Sequence, residues 1–264
     1  MSVSGSQAPT RPIPFVPAAP AAVSRAKPAP APAAETRPQA PVDRFESTPT
    51  TPAPAPSKPA PYDGLKDAAL IKALHDGAAQ HKDLGYNQAR KIIFSALDNH
   101  DGKVKCVYTG REVKTDKIPN GSDMNTEHTW PQSQGATGPA KSDLHHLFPT
   151  DSKANSIRSS YPFGEVKNVQ WTQNGAKFGT DASGKKVFEP PPEHKGNVAR
   201  ALFYFATVYG KHIPADDEAV LKKWNQADQV DAAERTRNDA IQGYQGNRNP
   251  FVDDPFLADR ISDF

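Results

Sequence analysis

The stretch NTEHTWPQS, residues 125–133, places a carboxylate beside an imidazole, and Asn155 adds an amide oxygen further along the chain. Carboxylate and amide oxygens suit Mg²⁺, with Mn²⁺ or Ca²⁺ as alternatives, and Mg²⁺ keeps several waters that can give way to phosphate oxygens. A neutral His128 can take a proton from an attacking water, because imidazole titrates near neutral pH. Together with Glu127, these residues indicate metal-assisted hydrolysis of a phosphodiester bond.

Two strands and a helix are expected to position these side chains. The pattern predicts a strand between Ser122 and Pro131, a loop rich in Gly, Pro and Ser, and a short strand through residues 144–148. A helix is predicted to begin at Thr150 or Asp151, since both residue types are common N-caps. A two-stranded unit packed on one helix brings the first strand and the helix to a common site.

This arrangement makes one geometric demand on the first strand. Consecutive strand residues point to opposite faces, so Glu127 and His128 share a site only if the strand ends or bulges there. The adjoining Trp130-Pro131 pair favours an end to the strand, because proline limits how far a strand can continue.

The remaining pattern predicts a mixed α+β fold in which helices dominate. Apolar spacing indicates two helices before the site, a core helix that is apolar nearly all round, and two helices after it. The predicted helices are DGLKDAALIKALHDGAAQHKDL, NQARKIIFSALDNH, GNVARALFYFATVYG and residues 216–227 and 230–243, and the predicted strands outside the site are VKCVYTG, EVKNVQWTQ and KKVFEP.

The N-terminal segment differs from the rest in composition, with 16 of the 27 prolines in residues 1–61. We expect a disordered, Pro/Ala-rich arm or linker there, since it has few large apolar residues to offset the entropy of ordering. Residues 62–264 are expected to form one domain. This part carries a net charge of −1, so phosphate binding would depend on a metal ion and a few placed cations.

Several classes of protein are disfavoured by the sequence. No run approaches the ~18 apolar residues of a membrane span, and Met1 is not followed by an ordinary signal peptide. The lone Cys106 excludes an intramolecular disulfide and a Cys-rich zinc site, and we expect it to be a small buried hydrophobe in a strand.

Four motifs, EHTWPQS, SDLHHLFPT, NSIRSSYPFGEV and YQGNRNPFVDDP, occur in this order. Together they resemble the bacterial endonuclease I family of extracellular and periplasmic nucleases, over about residues 65–262. That family belongs to the ββα-metal, or His-Me finger, superfamily. The resemblance implies Mg²⁺-dependent, largely sequence-nonspecific cleavage of DNA and often RNA to 5′-phosphate ends, with His128 as general base and Glu127 and Asn155 as metal ligands.

The sequence also departs from this family. Some members have an arginine in the loop after the Glu-His pair, whereas PQSQGATGPAKSD contains only Lys141 as a cation. Lys141 or Arg158 is therefore expected to bind the phosphate, and Arg158 could equally form a structural ion pair. Arg248 is a further phosphate candidate, with locking of its own loop as the alternative. The role of Asp254, where the family pattern suggests histidine, is open.

The SDLHH motif supplies the residues expected to support the site. Asp143 is predicted to fix the loop through backbone N–H groups. Of His145 and His146, one is expected to face the site or a nearby carbonyl and the other to be exposed, and we assign His145 the supporting position.

The sequence therefore predicts a secreted, monomeric, sugar-nonspecific endonuclease, with DNA and RNA as substrates. Two alternatives stay open. The missing loop arginine suggests a nucleic-acid-binding module that has lost catalysis, and the arm 1–61 suggests a toxin-like effector nuclease docked on a delivery partner. The first predicts DNA binding without turnover, and the second predicts that loss of the arm abolishes delivery and leaves cleavage intact.

Overall fold

A computed structural model of the protein describes residues 62–264. The predicted disordered arm, residues 1–61, lies outside the described residues, so the proposed division of the chain stays a prediction. The helices are α1 (Asp67–Ala78), α2 (Tyr86–Ile92), α3 (Ser152–Arg158), α4 (Lys195–Tyr209), α5 (Ala215–Ala227), α6 (Ala232–Gln245) and α7 (Pro250–Asp253). The strands are β1 (Asn99–His100), β2 (Lys103–Lys105), β3 (Glu112–Lys114), β4 (Met124–His128), β5 (Leu147–Asp151), β6 (Asn168–Gln173), β7 (Ala176–Thr180) and β8 (Lys186–Glu189).

The strands form three small antiparallel sheets, ordered β1-β2-β3, β4-β5 and β6-β7-β8, which confirms the α+β class. Helix α4 lies in the core, as its apolar sequence predicts, and Phe203, Tyr204 and Phe205 are fully buried. Helix α1 packs on it through Leu70 and Leu74, four residues apart on one helical face.

The unit that positions the candidate site consists of β4, β5 and α3. Glu127 pairs with Phe148 and His128 with Leu147 across the β4-β5 ladder, and α3 begins directly after β5. This is the ββα arrangement predicted from the motifs. Within residues 62–264, the structure contains no helix long and apolar enough to cross a bilayer.

Several details differ from the predicted elements. The helix expected over NQARKIIFSALDNH continues after Ile92 as a π-helical segment, Ile93–Leu97, and the last two residues of the stretch form strand β1. The strand expected over residues 104–110 is short, so Cys106 is buried as expected but follows β2 instead of lying within it. The strand expected over residues 144–148 begins at Leu147, because residues 144–146 form a 3-10 turn. Strand β7 was not predicted, although Asn174 and Gly175 form the left-handed turn of a β-hairpin, with φ of 48° and 84°.

Candidate active site

Strand β4 ends at His128. This is the strand end that Glu127 and His128, as consecutive residues, need in order to share one site. The backbone N–H of Thr129 donates to the carbonyl of His146, and the chain then turns at Pro131 into a 3-10 segment. Glu127, His128 and Asn155 consequently line one cavity of about 290 Å³. The structure thus brings together the three residues whose chemistry the sequence singles out.

The His128 ring is held in one tautomer. Its Nε2 lies 3.1 Å from the carbonyl oxygen of Lys141, and because a carbonyl only accepts, Nε2 carries the proton. Nδ1 is left as the acceptor and lies 3.4 Å from the amide nitrogen of Gln132. Burial, together with the nearby His146, lowers the pKa of His128 to about 3. The imidazole is therefore neutral at physiological pH, with its basic lone pair on Nδ1.

Two aromatic neighbours fix the plane of the His128 ring. The Tyr86 ring, from the first residue of α2, lies 5.3 Å away between ring centroids at a tilt of 37°. The His146 ring lies 5.6 Å away in an edge-on arrangement, and its own Nε2 is 2.7 Å from the carbonyl oxygen of Ala140. Both contacts restrict rotation of the imidazole.

Glu127 is a buried carboxylate with a buried cation beside it. Its side chain is 1% exposed, and its Oε1 lies 3.2 Å from Nε of Arg158, which is 3% exposed. Burial raises the pKa of Glu127, and the positive charge of Arg158 opposes that rise. The guanidinium also donates to the carbonyls of Thr129 and Ser159, at 2.7 and 3.0 Å. Arg158 therefore forms the structural ion pair that was one of its two predicted roles. Its other predicted role, contact with a phosphate, stays a prediction.

The donor set fits a hard divalent cation. Oε1 of Glu127 is buried and, apart from the ion pair with Arg158, makes no hydrogen bond among residues 62–264, so it could accept a cation as a further partner. Asn155 lines the same cavity, and its amide group carries a second candidate oxygen. In the described part of the chain, no group of three or more His, Cys, Asp or Glu residues could hold a metal ion. Two protein oxygens with the remaining positions left to water suit Mg²⁺ better than zinc.

Asp143 anchors the loop between β4 and β5. Its carboxylate accepts from the backbone N–H of His145, as the sequence predicts, and also from Gln245 and from the hydroxyls of Tyr204 and Tyr209, at 2.7 to 3.0 Å. Burial opposes its ionisation, but the neighbouring histidines and the Gln245 amide outweigh burial and lower the pKa of Asp143 to about 2.

The expected exposure of one histidine in the HH pair was wrong, since His145 and His146 are 4% and 0% exposed. The loop folds onto α4, where the His145 ring packs 4.6 Å from Tyr204 and the His146 ring 4.7 Å from Phe205. His146 contacts His128, whereas Nε2 of His145 lies 3.3 Å from the carbonyl oxygen of Asn247. A supporting role for His145 at the site stays a prediction.

The C-terminal motif lies outside the cavity that holds His128. Arg248 is paired with Asp239 and Asp253, each at 2.6 Å, and borders a separate cavity. Asn249 caps α7 and Asp254 caps the 3-10 turn that follows, so both lock their own loops. Contact between Arg248 and phosphate stays a prediction.

Sequence reasoning missed Tyr86 and Gln132 as site residues. Gln132 lies in the EHTWPQS motif directly after Pro131, so the strand end and the turn after it could have indicated that its side chain folds back onto His128. Tyr86 begins an amphipathic helix 42 residues before His128, and no local pattern marks it as part of the site.

Comparison with known proteins agrees with this geometry. The family model for endonuclease I matches residues 70–256. An extracellular ribonuclease of Bacillus amyloliquefaciens is 36% identical over 228 residues, which is 75% of this chain and 75% of that protein. A second extracellular ribonuclease, from Bacillus subtilis (strain 168), is 32% identical over 228 residues, which is 75% of this chain and 76% of that protein. An extracellular deoxyribonuclease of Aeromonas hydrophila is 29% identical over 111 residues, 42% of this chain and 49% of that protein.

The fold, the site and the family match together define a phosphodiester hydrolase of the nuclease class. The chain belongs to the endonuclease I family.

Proposed function

We propose that the protein is a divalent-metal-dependent, largely sequence-nonspecific endonuclease that cleaves DNA and RNA to 5′-phosphate ends. The observation that carries the proposal is the single cavity lined by His128, whose Nδ1 is free of a proton, and by Glu127 and Asn155. The relatives include proteins named ribonuclease and deoxyribonuclease, which supports action on both polymers. Their description as extracellular supports secretion of this protein as well.

In the proposed mechanism, Nδ1 of His128 takes the proton from the attacking water. The Lys141 carbonyl continues to accept from Nε2–H and thereby stabilises the imidazolium that forms. The low pKa keeps Nδ1 unprotonated in the free protein, and the negative charge of a bound phosphate favours the protonated form during the reaction.

Glu127 and Asn155 would hold the metal. When bound there, a divalent cation supplies positive charge for the transition state and for the departing 3′ oxygen. Arg158 opposes protonation of Glu127 in its buried position, because burial without a paired charge favours the neutral acid.

The test is cleavage of supercoiled plasmid and of a structured RNA by the full chain, with Mg²⁺ or with excess EDTA. We expect nicking and RNA cleavage with Mg²⁺, and neither in EDTA. Binding of either polymer without cleavage under Mg²⁺, Mn²⁺ or Ca²⁺ would replace the proposal with the binding-module alternative. The effector alternative depends on residues 1–61, which lie outside the described residues.

A further inference from the structure

Two cations share one aromatic ring at the edge of the candidate active site. The guanidinium carbon of Arg90 lies 5.7 Å from the ring centroid of Tyr86, and Nζ of Lys141 lies 4.8 Å from it. Both distances fall within the range of cation–π attraction. The same ring packs on His128 and lines the cavity that holds Glu127 and Asn155. Positive charge is therefore concentrated beside the proposed base.

The charge of these two residues is not neutralised by the protein. In the region from residue 62 to residue 264, neither Arg90 nor Lys141 lies within ion-pair distance of a carboxylate, whereas Arg158 is paired with Glu127. Nε of Arg90 is also buried without a hydrogen-bond partner in that region. A buried charged donor that lacks a partner is costly, so its retention against the Tyr86 ring, which lines the cavity, indicates that an acceptor arrives with a ligand.

The surroundings suit an anionic ligand. The residues that line the cavity with Tyr86 include four with amide or hydroxyl side chains that can donate to phosphate oxygens, and these are Asn125, Gln132, Ser133 and Ser160. Arginine offers several donors in a planar fork that matches phosphate, and lysine adds a compact charge.

We propose that Arg90 and Lys141, held together by the Tyr86 ring, form the subsite that binds a phosphate of the nucleic-acid strand next to His128. The inference rests on the proposed nuclease function and deepens it. The loop between β4 and β5 contains Lys141 but no arginine. Arg90 provides a guanidinium from helix α2, which precedes the motifs in the chain.

The experiment compares single charge removals in the full chain. Arg90→Gln and Lys141→Gln each delete one subsite charge, and the latter leaves the Lys141 carbonyl in place for His128. Lys91→Gln is the matched control, since Lys91 is the exposed neighbour of Arg90 on the same helix. Arg90→Lys keeps the charge, so it separates loss of charge from disturbance of the helix. Thermal unfolding of each variant shows whether it is folded.

Two quantities are measured: kcat/KM for cleavage with Mg²⁺, and binding of a short DNA duplex in EDTA as a function of salt. We expect Arg90→Gln and Lys141→Gln to lower kcat/KM and to reduce the slope of log Kobs against log salt by about 0.9 each, the value for one lost phosphate contact. Lys91→Gln should change neither quantity, and Arg90→Lys should retain most of the slope.

These outcomes distinguish failure of the proposed subsite from failure of the proposed nuclease function. If wild-type protein cleaves nucleic acid and Arg90→Gln matches Lys91→Gln in slope and in kcat/KM, the subsite is wrong and the nuclease function stands. If Arg90→Lys loses as much slope as Arg90→Gln, a structural role for Arg90 replaces the phosphate contact. If wild-type protein cleaves neither polymer with any divalent metal, the proposed function fails and the subsite fails with it.

Discussion

Nε of Arg158 lies 3.2 Å from Oε1 of Glu127, with the side chains 3% and 1% exposed. Such a buried pair has a small net effect on stability when intact, but breaking it leaves one charge uncompensated in a low-dielectric interior. Arg158 thus supplies the positive charge that opposes protonation of the buried Glu127 side chain.

Replacing Arg158 with Gln is expected to lower the free energy of unfolding by about 3–5 kcal/mol, the usual cost of removing one partner of a buried pair. Urea denaturation of the metal-free protein measures this cost. Lys103→Gln is the control, since its pair with Glu112 is exposed and such pairs contribute about 1 kcal/mol or less. Equal losses in the two variants would show that Glu127 does not depend on Arg158.

Replacing Tyr86 with Leu removes the ring that packs on His128. We expect kcat at saturating substrate to fall about 10- to 100-fold, because a base displaced by about 1 Å loses activity on that scale. Saturating substrate makes kcat insensitive to weaker phosphate binding. Tyr86→Phe keeps the ring and should retain most of kcat, so equal values for the two variants would exclude ring packing as the function of Tyr86.

His194 predicts a pH dependence of stability that is separate from catalysis. Burial, together with the charges of Arg237 and Arg200, lowers the pKa of His194 to about 3, against an ordinary value near 6.5. The unfolded chain therefore takes up the proton first as the pH falls. The stability that depends on neutral His194 is complete above about pH 6.5 and is lost progressively as the pH falls towards 3.

Urea unfolding of wild type and His194→Gln at several pH values between 6 and 4 tests this sign. The wild-type free energy of unfolding should fall more steeply than that of the variant, by about 1.4 kcal/mol per pH unit for one proton. Packing lost with the imidazole shifts the whole curve and does not alter its slope. Parallel curves would show that the folded protein accepts a proton on His194 as readily as the unfolded chain does.

Asp143→Asn should destabilise the protein by about 1–3 kcal/mol, the cost of leaving a buried polar group without its partner. The carboxylate accepts four hydrogen bonds, two of them from Tyr204 and Tyr209 on a single oxygen, and an amide cannot accept at both positions. Denaturant unfolding measures the loss, with exposed Asp116→Asn as the control. A loss no greater than that of the control would mean that Asp143 is not the anchor of the loop.

The elements that carry a strong local pattern were predictable from the sequence. The apolar spacing of α4 and the N-cap residue types before α3 indicated both helices within a few residues. The pairing of β4 with β5 followed from the strand-loop-strand pattern, and proline after the Glu-His pair indicated the strand end that brings both side chains to one cavity.

Features that arise from long-range packing were not predictable. Tyr86 reaches the site because α2 packs against the loop that contains Lys141, and no repeat or motif in α2 predicts that contact. The burial of both HH residues follows from their packing on Tyr204 and Phe205 of α4. Strand β7 was also not predicted, but here a local signal was present, because the Asn174-Gly175 turn before the strand is visible in the sequence.

The central claim is that His128 acts as the general base, and chemical rescue tests it most directly. His128→Gly removes a ring enclosed by Tyr86 and His146 and leaves space for free imidazole. With Mg²⁺ and plasmid DNA, single-turnover cleavage should fall about 10²-fold or more in this variant. Added imidazole should restore part of the rate in proportion to its unprotonated form and should not accelerate the wild type. A His128→Gly variant that cleaves at the wild-type rate without imidazole would contradict the account.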